Sequence, residues 1–347
     1  MKRRYKELRK RRRQRRQDVI RRKQHKKRYV KRGLTQVQQL PLIIPTPSEV
    51  PGLGLVNSPR CLSIMTEVAD CVRFFANIRY QAVAVRNEGK RKVTLNIADI
   101  QAIDLPTTMV LNALGREMGG NGVNLGGNFP EDKDCYDFFV KTGFLNDKVD
   151  SKGMKFNKSE KTDYFTLNKG QGKLSINDTM QICKIVKHAC EHLGNNAFYD
   201  DVVSIIKEIA GNSIEWSQSF RDQWTLGVMF EDESVTFAIL DLGRGILDTI
   251  YRKFLKKLKG LFTDDIAFLN DVFDKQYSSS SQESNRYKGL PSIKRAYLEG
   301  KIQNLCVMTN NVLMSFDDFS KSVQFSKSRK AFNGTLYYWQ INKKTEI

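Results

Sequence analysis

Three short stretches in the second half of the sequence carry residues that could bind and cleave a nucleoside triphosphate. The first is Glu208-Ile-Ala-Gly-Asn212, within an apolar run of helical spacing over residues 202–216. Glu208 and Asn212 are four positions apart, so they share one face of the predicted helix. A carboxylate there could activate water, and the Asn carbonyl oxygen is a hard ligand suited to Mg²⁺. Alone, the pair is also compatible with a solvated polar face.

The second stretch is Asp241-Leu-Gly-Arg-Gly245-Ile246, which follows a β-branched apolar run over residues 235–240. That run predicts a buried strand. An aspartate at the end of a strand can accept a hydrogen bond from an adenine amino group. Gly243 and Gly245 permit positive φ and a close approach of the backbone to a ligand. An ordinary strand-to-helix turn favours the same residue types.

The third stretch is Arg286-Tyr-Lys288-Gly289-Leu290, just before a helix predicted from Pro291 to Leu298. A glycine at a helix start leaves backbone N–H groups available to a phosphate. Arg286 and Lys288 could add positive charge at the γ-phosphate. A basic loop that leads into a helix would contain the same residues.

Together and in this order, the three stretches resemble the motifs of the GHKL ATPase superfamily, which includes gyrase, a group of heat-shock chaperones, histidine kinases and MutL. The resemblance implies that Glu208 is the general base, Asn212 the Mg²⁺ ligand and Asp241 the residue facing adenine. The residues that it places around ATP besides these are Gly243, Gly245, Ile246, Arg286, Lys288, Gly289, Leu290 and Thr335. The chain departs from the later Gly-x-Gly-Leu box, because the first glycine of that box is missing.

The resemblance covers residues 176–343 and implies a Bergerat-type two-layer α/β sandwich. The strand-like run 304–308 and the Gly334-Thr335 pair entering a last strand fit that domain. Residues 247–287 would then form the ATP lid, hinged by glycines at both ends. A helical hairpin insertion without a gating role is the alternative for this segment.

The first half of the chain predicts a separate α/β unit over residues 56–150. Helices are expected at 65–77, 106–118 and 135–142, a strand at 92–97, and a glycine-rich loop at 119–130. This order of elements resembles a STAS-type sheet-and-helix domain. Residues 151–175 are expected to connect the two domains, with a hairpin at 164–174. The fold class is therefore α/β (α+β), with a STAS-like domain preceding the ATP-binding domain.

The positive charge of the chain is concentrated at its start. Of a net charge of +20 over 347 residues, residues 1–33 carry +17, from 19 Lys or Arg against two acids. We expect this basic tail, helical or disordered, to bind nucleic acid (RNA or DNA), because each phosphate contact releases counterions. A solubilising tail is the alternative. Residues 34–55 are proline-rich and predict a linker.

No apolar run approaches the ~20 residues of a membrane span, and none has the form of a secretory signal. Six cysteines without paired spacing are typical of reduced thiols, so we expect a cytoplasmic protein that does not bind membranes.

The sequence thus predicts a Mg-ATP-binding protein, an ATP hydrolase that acts as a conformational switch on nucleic acid or a protein partner. The resemblance further implies homodimerisation and a setting such as antiviral defence against phage. Two other functions stay open. One is a protein kinase of the histidine-kinase or anti-sigma type, and the other is a nucleic-acid-binding module with a degenerate pocket.

Overall fold

The computed structural model describes most of the chain between Gly52 and Lys343. The described residues are 52–145, 148–149, 152, 154–156, 165–170, 174–196, 199–216, 224–251, 264–274 and 289–343. The basic tail and nearly all of the proline-rich linker lie outside these residues, as do Arg286 and Lys288.

Twelve strands and seven helices within the described residues are used below. The strands are β1 (Leu55–Asn57), β2 (Cys61–Leu62), β3 (Lys92–Asn96), β4 (Ala102–Ile103), β5 (Asn124–Gly127), β6 (Phe165–Gly170), β7 (Trp224–Phe230), β8 (Ser234–Asp241), β9 (Gln303–Asn310), β10 (Val312–Ser315), β11 (Val323–Gln324) and β12 (Phe332–Asn342). The helices are α1 (Val68–Asn87), α2 (Leu105–Gly120), α3 (Lys133–Lys141), α4 (Ile176–His192), α5 (Tyr199–Trp216), α6 (Asp265–Phe273) and α7 (Gly289–Leu298). Residues 246–251 are also helical.

The second half of the chain is built on a seven-stranded sheet with the order β11-β10-β9-β12-β8-β7-β6. Every neighbouring pair in it is antiparallel. The long strand β12 lies between β8 and β9, and its Thr335 is the register partner of Asp241 on one side and Thr309 on the other. The rings of Phe237 and Trp339, also register partners, stack in parallel with centroids 5.5 Å apart. This packing fixes β8 against β12.

Two hydrophobic cores lie on the two faces of this sheet. Helices α4, α5, α6 and α7 bury their apolar side chains against one face. The opposite face packs against the first half of the chain, through side chains of β8, β9, β10 and β12 that share a core with α1 and α2. Helices therefore cover both faces of the sheet.

The first half of the chain contains a three-stranded parallel sheet, β1-β3-β5, and a two-stranded parallel sheet, β2-β4. The half-buried carboxylate of Asp104 fixes the start of α2, since it accepts hydrogen bonds from the Thr107 N–H at 2.8 Å and the Ser63 hydroxyl at 2.8 Å. From there α2 packs onto β7. A Cβ on Gly227 would lie 2.6 Å from the Met109 sulfur, so a glycine is needed for this contact.

The mixed α/β architecture is confirmed, with parallel sheets and helices in the first half and an antiparallel sheet with helices in the second. The predicted helix at 202–216 and strand at 235–240 correspond to α5 and β8. The first predicted helix was placed too early and ended too soon, because α1 spans Val68–Asn87. The strand at 92–97 and the helices at 106–118 and 135–142 match β3, α2 and α3 within two residues.

Two other predictions were wrong in their local structure. The glycine-rich loop 119–130 contains strand β5, which pairs in parallel with β3. The stretch 164–174 does not form a hairpin in its described part; β6 pairs instead with β7 and forms an edge of the large sheet. The prediction of a lid at 247–287 stays a prediction; of its residues, those of α6 bury their apolar side chains in the main core. The remaining lid residues, 252–263 and 275–287, lie outside the described residues.

Within the part of the chain that the structure describes, no helix combines the length and the apolar character that crossing a membrane requires.

Candidate functional site

A concave pocket lies where α5, the end of β8, residues 244–250 and the start of α7 meet. The space between these elements amounts to about 630 Å³, a figure that includes open solvent at the mouth of the pocket. The lining residues are Ile209, Asn212, Ser213, Asp241, Arg244, Gly245, Ile246, Thr249, Ile250, Gly289, Leu290, Thr335 and Tyr337. Residues from all three sequence stretches therefore border one cavity.

Helix α5 contributes Glu208 and Asn212 to this region. The helix forms because its apolar residues bury one face in the main core: Val202, Ile205, Ile206, Ile209 and Ala210. Asn212 lines the pocket, while Glu208 is half-buried one turn earlier. The Glu208 carboxylate lies directly against Gly289, and a Cβ at that position would overlap it. Glycine at the start of α7 is therefore what lets the carboxylate and the helix N-terminus meet.

Asp241 forms the buried end of the pocket. The Gly243 N–H donates to its Oδ1 at 2.8 Å, and the Ser213 hydroxyl lies 3.4 Å from its Oδ2. Thr335, its partner on β12, adds a side-chain hydrogen bond. Burial nevertheless raises the pKa of Asp241 to about 6, because the loss of solvation outweighs these three hydrogen bonds. A further hydrogen-bond donor would therefore stabilise the ionised form of this carboxyl.

The turn after Asp241 is held by the side chains of another strand. Gly245 has φ of +80°, which a side chain rarely adopts, and no room exists for a Cβ there. The Thr309 hydroxyl accepts from the Ile246 N–H at 2.9 Å, and the Asn310 carbonyl oxygen accepts from the Leu247 N–H at 3.0 Å. The N-terminus of the helical segment at 246–251 is therefore already capped. Helix α7 also begins at the pocket, where Gly289 and Leu290 are among the lining residues.

Tyr337 connects the two acidic residues of the site. Its side chain lines the pocket although only 3% of it is exposed. Burial raises its pKa well above the usual range, and the negative charges of Asp241 and Glu208 raise it further. The carboxylates of Asp241 and Glu208 are therefore both close enough to Tyr337 to act on its phenol electrostatically.

Some lining residues were not assigned from the sequence. Ser213 could have been found, because Ile209, Asn212 and Ser213 have the spacing of one helix face. Tyr337 is two residues beyond Thr335 on a strand, so both point to the same face. Arg244 and Thr249 also line the pocket, and no pattern in the sequence distinguishes them.

The predicted residues are placed as follows. The pocket brings together Asn212, Asp241, Gly245, Ile246, Gly289, Leu290 and Thr335, with Glu208 against Gly289 and Gly243 bonded to Asp241. Arg286 and Lys288 lie outside the described residues.

The donor set at the pocket fits a magnesium ion carried by a nucleotide. No group of three His, Cys, Asp or Glu side chains in the described part of the chain could hold a metal alone. Mg²⁺ usually takes one or two protein ligands and completes its shell with water and substrate phosphates. Asn212, which lines the pocket, could supply one such ligand, and the Glu208 carboxylate lies one turn earlier on the same helix.

Comparison of the chain with protein-family models finds no match, and comparison with curated proteins finds none. A function must therefore be argued from the pocket.

Proposed function

We propose that the protein binds Mg-ATP in this pocket and hydrolyses it as an ATPase of the GHKL type. The observation that carries the proposal is the meeting of three distant stretches around one cavity, with a buried aspartate at one end and a glutamate against a helix N-terminus. Asp241 could accept a hydrogen bond from a nucleobase. The N-terminus of α7 could bind a phosphate, with the Glu208 carboxylate beside it as a general base.

The order of elements supports a Bergerat-type fold for residues 176–343. Helix α5 with Glu208 and Asn212 precedes the β7–β8 hairpin that ends at Asp241, and α7 then leads into β9, β10 and β12. The parallel strands and helices before it support a STAS-like unit over residues 56–150.

Asp241 would select adenine. Its carboxylate is buried and accepts hydrogen bonds that do not satisfy it fully, so a donor such as the adenine amino group would stabilise its ionised form. Guanine has a carbonyl oxygen in the place of that amino group, and two acceptors would then face each other. We therefore expect discrimination between ATP and GTP, as is usual for sites with buried polar groups.

The phosphates would lie toward α7, with the γ-phosphate near its first turn. Glu208 would accept a proton from a water molecule as the water oxygen bonds to the γ-phosphorus and the bond from that phosphorus to the bridging oxygen breaks, which leaves ADP and phosphate. Asn212 would hold Mg²⁺, which neutralises charge on the phosphates when bound. Gly243, Gly245, Ile246 and Leu290 would shape the walls, and we retain Arg286 and Lys288 as candidates for added charge at the γ-phosphate.

The first test is calorimetric titration of the full chain with ATP and GTP, with and without Mg²⁺, beside an assay of phosphate release. We expect Mg²⁺-dependent binding of ATP, binding of GTP at least tenfold weaker, and release of free phosphate. Transfer of the γ-phosphate to a protein would instead indicate the kinase alternative. Failure of the wild-type chain to bind ATP would contradict the proposal and leave a degenerate pocket.

The proposed output is a switch that acts on nucleic acid held by the basic tail, with a protein partner, homodimerisation and phage defence as the other predictions carried by the resemblance. Deletion of residues 1–33 removes a charge of +17. We expect this truncation to lose salt-sensitive retention of RNA or DNA while it keeps ATP binding, because each lost phosphate contact lowers the salt dependence. A gel-shift titration at several salt concentrations measures this, and equal retention without the tail would reject the role of the tail.

A further inference from the structure

Asn310, at the turn between β9 and β10, makes contacts that no motif in the sequence predicts. Its side chain is 1% exposed and its backbone has φ of +59°. Asparagine is one of the few residues other than glycine that adopt this conformation readily. The residue does not line the pocket, yet its amide points at the turn that does.

The amide of Asn310 uses both its donors and its acceptor in the buried interior. The Nδ2 group donates to the Arg244 carbonyl at 2.8 Å and to the Arg329 carbonyl at 3.0 Å. The Oδ1 atom accepts from the Leu247 N–H at 3.0 Å and lies 3.4 Å from the Asp248 N–H. One side chain therefore binds the backbone on both sides of Gly245 and caps the helical segment from another strand.

The same amide fills the space in which a Cβ on Gly245 would lie. Thr309 adds its own hydrogen bond to the Ile246 N–H at 2.9 Å. Two consecutive side chains of β9, those of Thr309 and Asn310, thus hold the turn that borders the pocket. An apolar residue at 310 would leave the Arg244 carbonyl and the Leu247 N–H buried without these partners, and the turn would relax.

We propose that Asn310 is a positioning residue for the nucleotide, which acts by holding the turn from Arg244 to Leu247 in the shape that receives the adenosine end of the ligand. The inference rests on the proposed function. Relaxation of the turn would move its backbone out of the shape that receives the ligand, so the affinity for the nucleotide should fall.

The neighbouring Asn311 provides a matched control. It is equally buried, and its Nδ2 donates to Asp265 at 2.8 Å and to the Ser326 carbonyl at 2.9 Å. None of these hydrogen bonds reaches the turn at Gly245. If Asn310 had only a structural role, its loss and the loss of Asn311 would both lower stability without a specific effect on nucleotide affinity. A positioning role predicts that only the loss of Asn310 weakens nucleotide binding.

The test compares wild type, Asn310→Gly and Asn311→Ala by calorimetric titration with ATP and with ADP, and by thermal unfolding. Glycine adopts the positive φ of residue 310 readily and removes the whole side chain, including the amide. We expect Asn310→Gly to bind both nucleotides at least tenfold more weakly, since the turn faces the part that ATP and ADP share. Asn311→Ala should lower the unfolding temperature and keep both affinities within threefold of wild type.

A second variant covers the case in which Asn310→Gly does not fold. Asn310→Asp keeps the acceptor for Leu247 and loses both donors, and we expect it also to bind ATP and ADP more weakly than Asn311→Ala does. If a folded Asn310 variant binds ATP within twofold of the wild type, the inference is wrong while the proposed function stands. If the wild type itself binds no adenine nucleotide, the proposed function has failed.

Discussion

Replacement of Glu208 with alanine will leave ATP binding within a few-fold of wild type and lower phosphate release by at least two orders of magnitude. A general base typically raises the rate of the chemical step by about 10²- to 10⁴-fold, so its removal should lower the rate by a similar factor. The Glu208 carboxylate lies against Gly289 at the N-terminus of α7, where the γ-phosphate is proposed to lie. The change removes the proton acceptor but none of the adenine-binding groups, so turnover and affinity should separate. Single-turnover assays with saturating Mg-ATP measure the step directly.

The control for this result is a glutamate on a neighbouring helix. Glu191 of α4 is exposed and its carboxylate lies 3.6 Å from the Lys187 ammonium, far from any lining residue in sequence. Glu191→Ala should leave both turnover and binding unchanged. Unaltered phosphate release by Glu208→Ala would show that another group accepts the proton.

Replacement of Asp241 with asparagine will make the protein more stable at neutral pH and at least tenfold weaker in ATP binding. Burial holds the pKa of this carboxyl at about 6 instead of 3.8. At neutral pH the ionised group therefore costs the folded state about 3 kcal/mol, taking about 1.4 kcal/mol for each tenfold change in the equilibrium. Asparagine keeps an oxygen for the Gly243 N–H and carries no charge. Thermal unfolding and calorimetric titration of the same samples measure the two effects.

The stability difference should also depend on pH in a defined direction. Because the folded pKa of Asp241 lies above the unfolded value, the folded wild type binds its proton more tightly and loses stability as the pH rises from about 3.8 to about 6. Above about 6 the full cost is present. The advantage of Asp241→Asn should therefore be greatest at pH 8 and shrink toward zero near pH 4. An advantage that is absent at pH 8, or that does not change with pH, would contradict the assignment of the raised pKa.

The affinity for ATP should also depend on whether the Asp241 carboxyl is ionised. The adenine amino group donates to the ionised carboxylate, so the affinity of the wild type should fall as the pH drops below about 6. Ser213→Ala keeps the carboxyl and loses the hydroxyl that donates to it at 3.4 Å and to the Ile209 carbonyl at 2.9 Å. The fall in affinity at low pH should therefore persist, with its midpoint moved to a higher pH because the bond from Ser213 lowers the pKa of Asp241.

The elements that carry the site could be predicted because each has a strong local signal. Helix α5 has an apolar face of helical period, and β8 is a run of apolar and β-branched residues that ends in a polar residue. Strands β5 and β6 could not be predicted, since a short glycine-rich or polar segment becomes a strand only through its partner, here β3 and β7. The apolar pattern of α6 was visible, but whether it covers a core or a lid depends on tertiary packing.

The geometry of the pocket was predictable only where it follows from one element. Glu208 and Asn212 share a face of one helix, so their proximity needs no tertiary information. The contact between Glu208 and Gly289 and the cap that Asn310 gives to residues more than sixty positions earlier join segments with no common local pattern. Such side-chain-to-backbone contacts become visible only when the chain is folded.

The core shared between α1, α2 and the back of the large sheet also constrains how this protein could change during evolution. Met109 reaches into the space left by Gly227, and Arg116 donates to the Thr225 hydroxyl at 3.3 Å. A recombination event that replaced the first half of the chain would leave an apolar sheet face without its cover, with side chains such as Leu240, Met308 and Leu336 exposed. The two halves are therefore expected to be inherited together, and new specificities would more easily arise from changes at the opposite face, where the pocket lies.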